Sequence, residues 1–296
     1  MTSGSSFDII SLAIADVAHL VERHLAKVEV ASSSLVIRSK KPTSFFGSGF
    51  SLTIIEIKRN KMQRRYLTEN IVNCRDLGGY PAGERVTAFG RAIRCGVIND
   101  PTEKDIEILK SIGIKTVIDL RGNEESENMP SVFASIPDFD YHHISLLETN
   151  PVFSKKCTDL CEMYILSLTE YSENYAAVLR LISTLTEPFL FHCFAGKDRT
   201  GLLAAMLLDA AGVCKEDILA DYQVSFTYFK PAYERELASD SGVIWEKDPS
   251  KFYSDPSVME RILDYFEKEF GGIIGYFKKI GLTDGEIHRL SEVLFN

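Results

Sequence analysis

The sequence predicts an α/β fold, a mostly parallel central sheet flanked by helices, and two stretches predict it. Phe189-Leu190-Phe191 is an apolar run of strand length, and Leu202 to Ala211 is an apolar run of helix length closed by Gly212. Thr102 followed by Asp105 opens a helix that ends at Gly113, after which Thr116 to Leu120 reads as a buried strand. Helices alternating with buried strands are the pattern of a parallel sheet.

Residues 1–61 do not resemble the rest. Ala15 to Ser39 can be read as an amphipathic helix running into a Ser-rich strand, with Leu20, Val21, Leu25 and Val28 on one face. A second reading asks what DNA encodes it. Ala15-Asp16-Val17 can come from GCGGATGT and Val36-Ile37-Arg38 from GTCATCCGC, in which GCGGATG and CATCCGC are reverse complements. Arg23 through Val28 fit a hairpin between these arms, and Ser32 to Leu35 fit a stretch containing TTCGA. The stretch resembles a glycine tRNA gene translated in frame. The expectation is therefore a non-native extension, 1–61, that packs poorly and carries no function, followed by a single domain, 62–296, that begins at Met62.

Within that domain, Asn73 to Gly79 leads into a Gly/Pro-rich loop, Tyr80-Pro81-Ala82-Gly83, read either as a plain turn or as a brace. Arg91 to Gly96 reads as a short strand with Arg94 structural. Asp119 and Arg121 fall at a strand's carboxyl end, where ligands gather in open α/β sheets. Asp140 to Ser145 is a further strand, on which His142 and His143 face opposite ways and cannot share a metal. Cys157 and Cys161 share a helix face without further ligands, so they read as core or surface thiols. Tyr164 to Leu185 reads as one long helix, and Asp217 to Phe229 as another. Lys230 to Asp255 is mixed, charged and Pro-containing, making 225–256 either a lid-like insertion or connecting structure. Ser257 with Glu260, and Thr283 with Glu286, read as capping boxes opening the last helices.

Composition narrows the function. With 45% apolar residues the chain is globular, and a net charge of -9 argues against general affinity for nucleic acid or anionic membrane. Six cysteines without a disulfide-framework spacing fit a reducing compartment, and the cytoplasm is the expected location. No apolar run is long enough for stable membrane insertion.

The chemistry concentrates between the catalytic strand and its helix. His192-Cys193-Phe194-Ala195-Gly196-Lys197-Asp198-Arg199-Thr200-Gly201 carries a cysteine, five residues, then an arginine. Successive backbone amides at a helix N-terminus cradle an anion, and a guanidinium adds a fork for phosphate oxygens, so Phe194 to Arg199 are candidate phosphate-binding residues. An electropositive loop favours the thiolate, which makes Cys193 a candidate nucleophile. His192 is a candidate for holding the loop, and Thr200 for stabilising the thiolate when it leaves.

These residues resemble the loop of the cysteine-dependent phosphatase superfamily, most closely the branch of bacterial and fungal tyrosine phosphatases whose loop also carries Ala-Gly-Lys-Asp-Arg-Thr-Gly. Asn73-Cys74-Arg75-Asp76-Leu77-Gly78-Gly79, and Val117-Ile118-Asp119-Leu120-Arg121 with Glu125 beyond, are similar to that branch in the same order. Where the family tends to have Arg-Ser, here stands Arg94-Cys95. The resemblance implies a cysteine-phosphatase fold and hydrolysis of a phosphate monoester through a phosphocysteine, with Cys193, Arg199 and Asp198 catalytic and no cofactor or metal. It makes Asp119 and Arg121 braces of the loop, where the residues by themselves read equally as solvated loop charges. The general acid is either Asp198 within the loop, which is favoured, or Glu148, which occupies the place of a separate acid loop. Implied substrates are phosphotyrosine in proteins, with phosphoserine, phosphothreonine or phosphoinositides besides. Phe194 and Tyr222 either wall a phosphotyrosine slot or pack in the core. The other readings are a phosphate-recognition module without turnover, a small-molecule phosphomonoesterase, and a sulfur-transfer or arsenate-reducing enzyme for which Cys74 and Cys95 would have to supply the thiol relay.

Overall fold

The computed structural model describes residues 63–96, 101–148, 157, 159–238 and 253–295. The extension 1–61, and 239–252 of the insertion, lie outside the described residues. The sheet has five strands: β1 (Arg75–Asp76), β4 (Ala92–Cys95), β5 (Thr116–Asp119), β6 (Asp140–His143) and β7 (Phe189–His192). β2 (Pro81–Ala82) and β3 (Arg85–Val86) form a separate hairpin. The order across the sheet is β1-β4-β7-β5-β6. β4, β7, β5 and β6 run parallel and β1 antiparallel, so the mostly parallel sheet expected from sequence is present.

β7 is central because it is apolar on both faces. Phe189 and Phe191 join a core with Ala92 and Ile118, while Leu190 joins the opposite core with Ile93 and Val117. The first core is closed by α3 (Leu160–Glu170), α4 (Ser172–Thr184), α5 (Asp198–Ala210), and α7 to α9 (Pro256–Phe270, Ile273–Lys279, Asp284–Glu292). The second is closed by α1 (Glu103–Ile112) and a 3₁₀ turn, Val132–Ser135. A short helix, α2 (Asn123–Asn128), follows β5, and α6 (Lys215–Leu237) follows α5. Thr102 and Asp105 form the expected capping box on α1, with Gly113 left-handed at its end. No helix among the described residues is long and apolar enough to cross a membrane.

Several elements differ from expectation. The stretch read as one helix from Tyr164 to Leu185 is two, α3 and α4, meeting at Tyr171. Its polar middle, Thr169 to Asn174, has no apolar stripe to hold a single axis, and Asn174 instead bonds the Ser145 carbonyl at 2.6 Å. Cys157 precedes α3, so it shares no helix face with Cys161, which is buried. α7 is capped by Asp255, whose carboxylate accepts from the Ser257 amide at 2.9 Å, not by a Ser257/Glu260 box. Pro256 in the first turn fits that start, because its missing N–H is one the helix would leave unpaired. α6 continues through Pro231 to Leu237, because Phe229, Ala232 and Tyr233 give it a further buried stripe. The first part of the expected insertion is therefore ordinary helix.

β1 and β4 pair Arg75 with Arg94, and both guanidinium groups reach Asp221 of α6. Arg75 Nε donates to the carboxylate at 2.9 Å, Arg94 donates to its other oxygen, and the Tyr80 hydroxyl donates at 3.1 Å. Burial alone would raise the Asp221 carboxyl, but the two arginines outweigh it and hold it at about 2, below its ordinary 3.8. The unfolded carboxyl takes its proton near pH 3.8, so this stabilisation is complete above about pH 4 and is lost as pH falls through about 2. Unfolding free energies from urea titrations across that window should fall by on the order of 2 kcal/mol beyond the loss in Asp221→Asn. At pH 7, Asp221→Ala should cost about 3–5 kcal/mol, because it leaves two buried guanidinium groups unpaired.

Candidate active site

The loop between β7 and α5 is shaped from behind. Gly196 sits at φ +67, and a Cβ there would lie 2.6 Å from the Cys95 carbonyl and the Gly96 nitrogen. Only glycine meets both demands. Asn73 Nδ2 donates to the Ala195 and Gly196 carbonyls, each at 3.0 Å, and Arg94 donates to the Gly196 carbonyl at 2.7 Å. Because a trans peptide sets C=O and N–H on opposite sides, pinning these carbonyls outward turns the amides of Gly196 and Lys197 into the loop. Asn73 is itself oriented by Arg75, which donates to its side-chain oxygen, and it is the one non-glycine at positive φ among the described residues. The Asn73 to Gly79 stretch is thus a brace rather than a plain turn.

Arg199 enters from the first turn of α5 with its guanidinium paired to both carboxylate oxygens of Glu125, and it reaches the Leu147 carbonyl at 3.3 Å. Burial would weaken its hold on the proton, but Cys193 and Glu125 reverse that and raise it above the ordinary range. Burial pushes Glu125 up, and the Arg199 bond more than offsets it, so the carboxyl lies below its usual range.

Glu125 is held through α2 by a second buried pair. Arg121 donates to Asp119 at 2.6 Å and to the Met129 carbonyl at 2.9 Å, and Tyr141 donates to Asp119 at 2.9 Å. Burial opposes the Asp119 charge, yet His192, an imidazolium at the acid pH where this carboxyl titrates, and Arg121 hold it well below the usual range. Both residues are buried, so they are not solvated loop charges.

Cys193 is 1% exposed and follows His192, which is buried, with Nδ1 3.3 Å from the Cys193 carbonyl and Nε2 3.8 Å from Asp119. Burial lowers His192 below its ordinary value, which leaves it neutral at pH 7. The Thr200 hydroxyl is buried with no hydrogen-bond partner among the described residues. Ala195 packs under Phe229 and Tyr233, with Phe194 half-buried beside them.

Lys197, a candidate phosphate-binding residue, is 3% exposed, donates to the Tyr253 carbonyl at 3.2 Å and lies 3.4 Å from Asp198. Asp198 Oδ1 accepts from the Tyr164 hydroxyl at 2.5 Å. Glu148 Oε1 takes three donors, Asn123 N and Nδ2 and Ser145 Oγ, at 2.8–2.9 Å. Tyr222 is 1% exposed behind α5, so it packs in the core and walls no open slot.

Sequence reading missed Asp221, the hub of the arginines, and Tyr164, the partner of Asp198. Each read as one more helical position, and only the third dimension shows which charge it meets.

The sequence profile of the tyrosine phosphatase family matches residues 66–296. A tyrosine-protein phosphatase from Nostoc commune is 31% identical over 212 residues, 67% of this chain and 72% of its own. The triple specificity protein phosphatase PtpB of Mycobacterium tuberculosis is 27% identical over 138 residues, 40% of this chain and 48% of its own. Among solved structures, P. aeruginosa TpbA in complex with pTyr aligns with TM-score 0.26 and 18% identity over 45% of this chain and 68% of its own.

Glu125→Gln removes the charge that orients Arg199 while keeping size and shape. Orthophosphate affinity, measured by calorimetric titration, should fall about 10-fold, in line with a lost charge-assisted pair. An unchanged affinity would show that the guanidinium needs no carboxylate to hold it.

Proposed function

The chain belongs to the tyrosine phosphatase family, and on that premise we propose that it hydrolyses phosphotyrosine in proteins through a phosphocysteine on Cys193. The observation that carries this reading is the outward pinning of the Ala195 and Gly196 carbonyls, which turns the loop amides toward an anion beside the Cys193 thiol and Arg199.

In the first step Cys193 Sγ attacks phosphorus in line as the bond to the leaving oxygen breaks. Loop amides and Arg199 hold the equatorial oxygens, where charge develops. Asp198 gives its proton to the leaving oxygen, then takes one from the water that attacks the phosphocysteine and releases the thiolate. Asp198 fits this role better than Glu148, because it lies inside the loop beside Arg199, whereas Glu148 is tied outside the loop by three donors from Asn123 and Ser145. Thr200, its hydroxyl buried and unbonded among the described residues, stabilises the departing thiolate, and His192 holds the loop as a neutral imidazole.

Phosphoserine and phosphothreonine belong to the wider substrate range, supported by the triple specificity of the M. tuberculosis relative. Phosphoinositides join it through the resemblance of the Ala195 to Gly201 loop to the branch of tyrosine phosphatases described above. A reducing, cytoplasmic location accords with six free cysteines. Residues 1–61 take no part.

Phosphate release should be measured from a phosphotyrosine peptide and a phosphoinositide, using the full chain, a chain beginning at Met62, and its Cys193→Ser variant. Turnover should be equal for the first two, faster on the peptide, and absent in the variant, which still binds phosphopeptide. Binding without turnover in every form would overturn the enzymatic reading in favour of a recognition module.

A further inference from the structure

Asp198 has one polar partner that no part of the loop supplies. Tyr164 projects from α3, is 1% exposed, and donates its hydroxyl to Asp198 Oδ1 at 2.5 Å. Behind it the Tyr222 hydroxyl, from α6, lies at 2.8 Å. A phenol has one proton to donate. Since Tyr164 gives its proton to the carboxylate, the bond between the two phenols runs the other way, with Tyr222 donating and Tyr164 accepting. Burial and the nearby Asp198 raise both phenols well above their ordinary value, so each keeps its proton through the physiological range.

This arrangement makes the two oxygens of Asp198 unequal. Oδ1 takes the Tyr164 donor, and Lys197 Nζ stands 3.4 Å from the same atom. An oxygen already accepting from a phenol is a poor seat for a further proton, so Oδ2 is the oxygen left to take one up and give it away. The side chain is a quarter exposed, whereas Tyr164 is sealed in the core. Tyr222 also fixes the helix that carries Asp198: a Cβ on Gly201, in the first turn of α5, would lie 3.1 Å from its ring. The two phenols grip the base of α5 from α3 and α6.

We propose that Tyr164, backed by Tyr222, is a positioning residue for proton transfer: it occupies Oδ1 of Asp198 and so fixes Oδ2 as the atom that protonates the leaving group. This rests on the reading of Asp198 as the general acid. The bookkeeping is closed within the site: the proton on Oδ2 goes to the departing oxygen, water later returns one to Oδ2, and the phenol protons stay where they are.

The test compares kcat/KM on p-nitrophenyl phosphate, whose leaving group needs little protonation, with that on phenyl phosphate, whose leaving group needs it. The ratio of the two is taken within one preparation of the full chain, so any loss of folded protein cancels. Asp198→Asn should raise the ratio about 100-fold, the scale of a lost general acid. Tyr164→Phe should raise it about 10-fold, as a partial loss of the same effect, and Tyr222→Phe about 2–3-fold in the same direction. A ratio that rises in Asp198→Asn but stays at the wild-type value in Tyr164→Phe would overturn the positioning role and leave the acid standing. A ratio unmoved in Asp198→Asn would instead overturn the reading of the acid, and this inference with it. If Tyr164→Phe is inactive on both substrates, the Tyr222→Phe ratio decides, and no change there contradicts the proposal.

Discussion

The Asp221 carboxylate is the point on which the site's geometry depends. It sits on α6, away from the loop, yet two arginines carry its influence there. Through Arg94 it reaches the Gly196 carbonyl directly, and through Arg75 and then Asn73 it reaches the carbonyls of Ala195 and Gly196. A buried ion cluster of this kind contributes little net stability compared with apolar packing. What it supplies is direction. An amide cradle binds an anion only if its N–H groups already point inward, and a loop free to flip its peptides would lose that preorganisation.

A second buried system does the same for the arginine. Asp119, Arg121 and Tyr141 fasten the turn that follows β5, that turn opens α2, and α2 carries Glu125 to Arg199. The two systems approach the loop from opposite sides of β7, one through β4 and β1, the other through β5 and β6. The central position of β7 is what allows both to reach it. With a net charge of -9, long-range attraction for a phosphorylated substrate is absent, so recognition rests on these local cations and dipoles.

Sequence legibility followed the range of the interactions. The loop from His192 to Gly201 was readable because anion cradle, thiol and guanidinium are contiguous, and the strand and helix flanking it were readable from apolar runs. Asn73, Arg94, Asp119 and Arg121 were readable as candidate braces, but not the carbonyls or carboxylates they hold. Asp221 and Tyr164 were illegible because a single polar residue in a helical stretch carries no sign of what it faces. The division between α3 and α4, and the extension of α6 past Pro231, were missed for a related reason: burial outweighed local propensity in one, and nothing apolar bridged the break in the other.

The proposed hydrolysis requires a covalent bond between Cys193 and phosphorus, and that bond can be trapped. A phosphotyrosine peptide turned over by the full chain would be quenched in acid within the first turnover, and the digested protein analysed by mass spectrometry. A phosphoryl group is expected on the peptide that contains Cys193, assigned to its sulfur by fragmentation and absent from Cys193→Ser. Turnover with the phosphoryl group on His192, or with no phosphorylated peptide at any quench time while Cys193→Ser remains active, would contradict it.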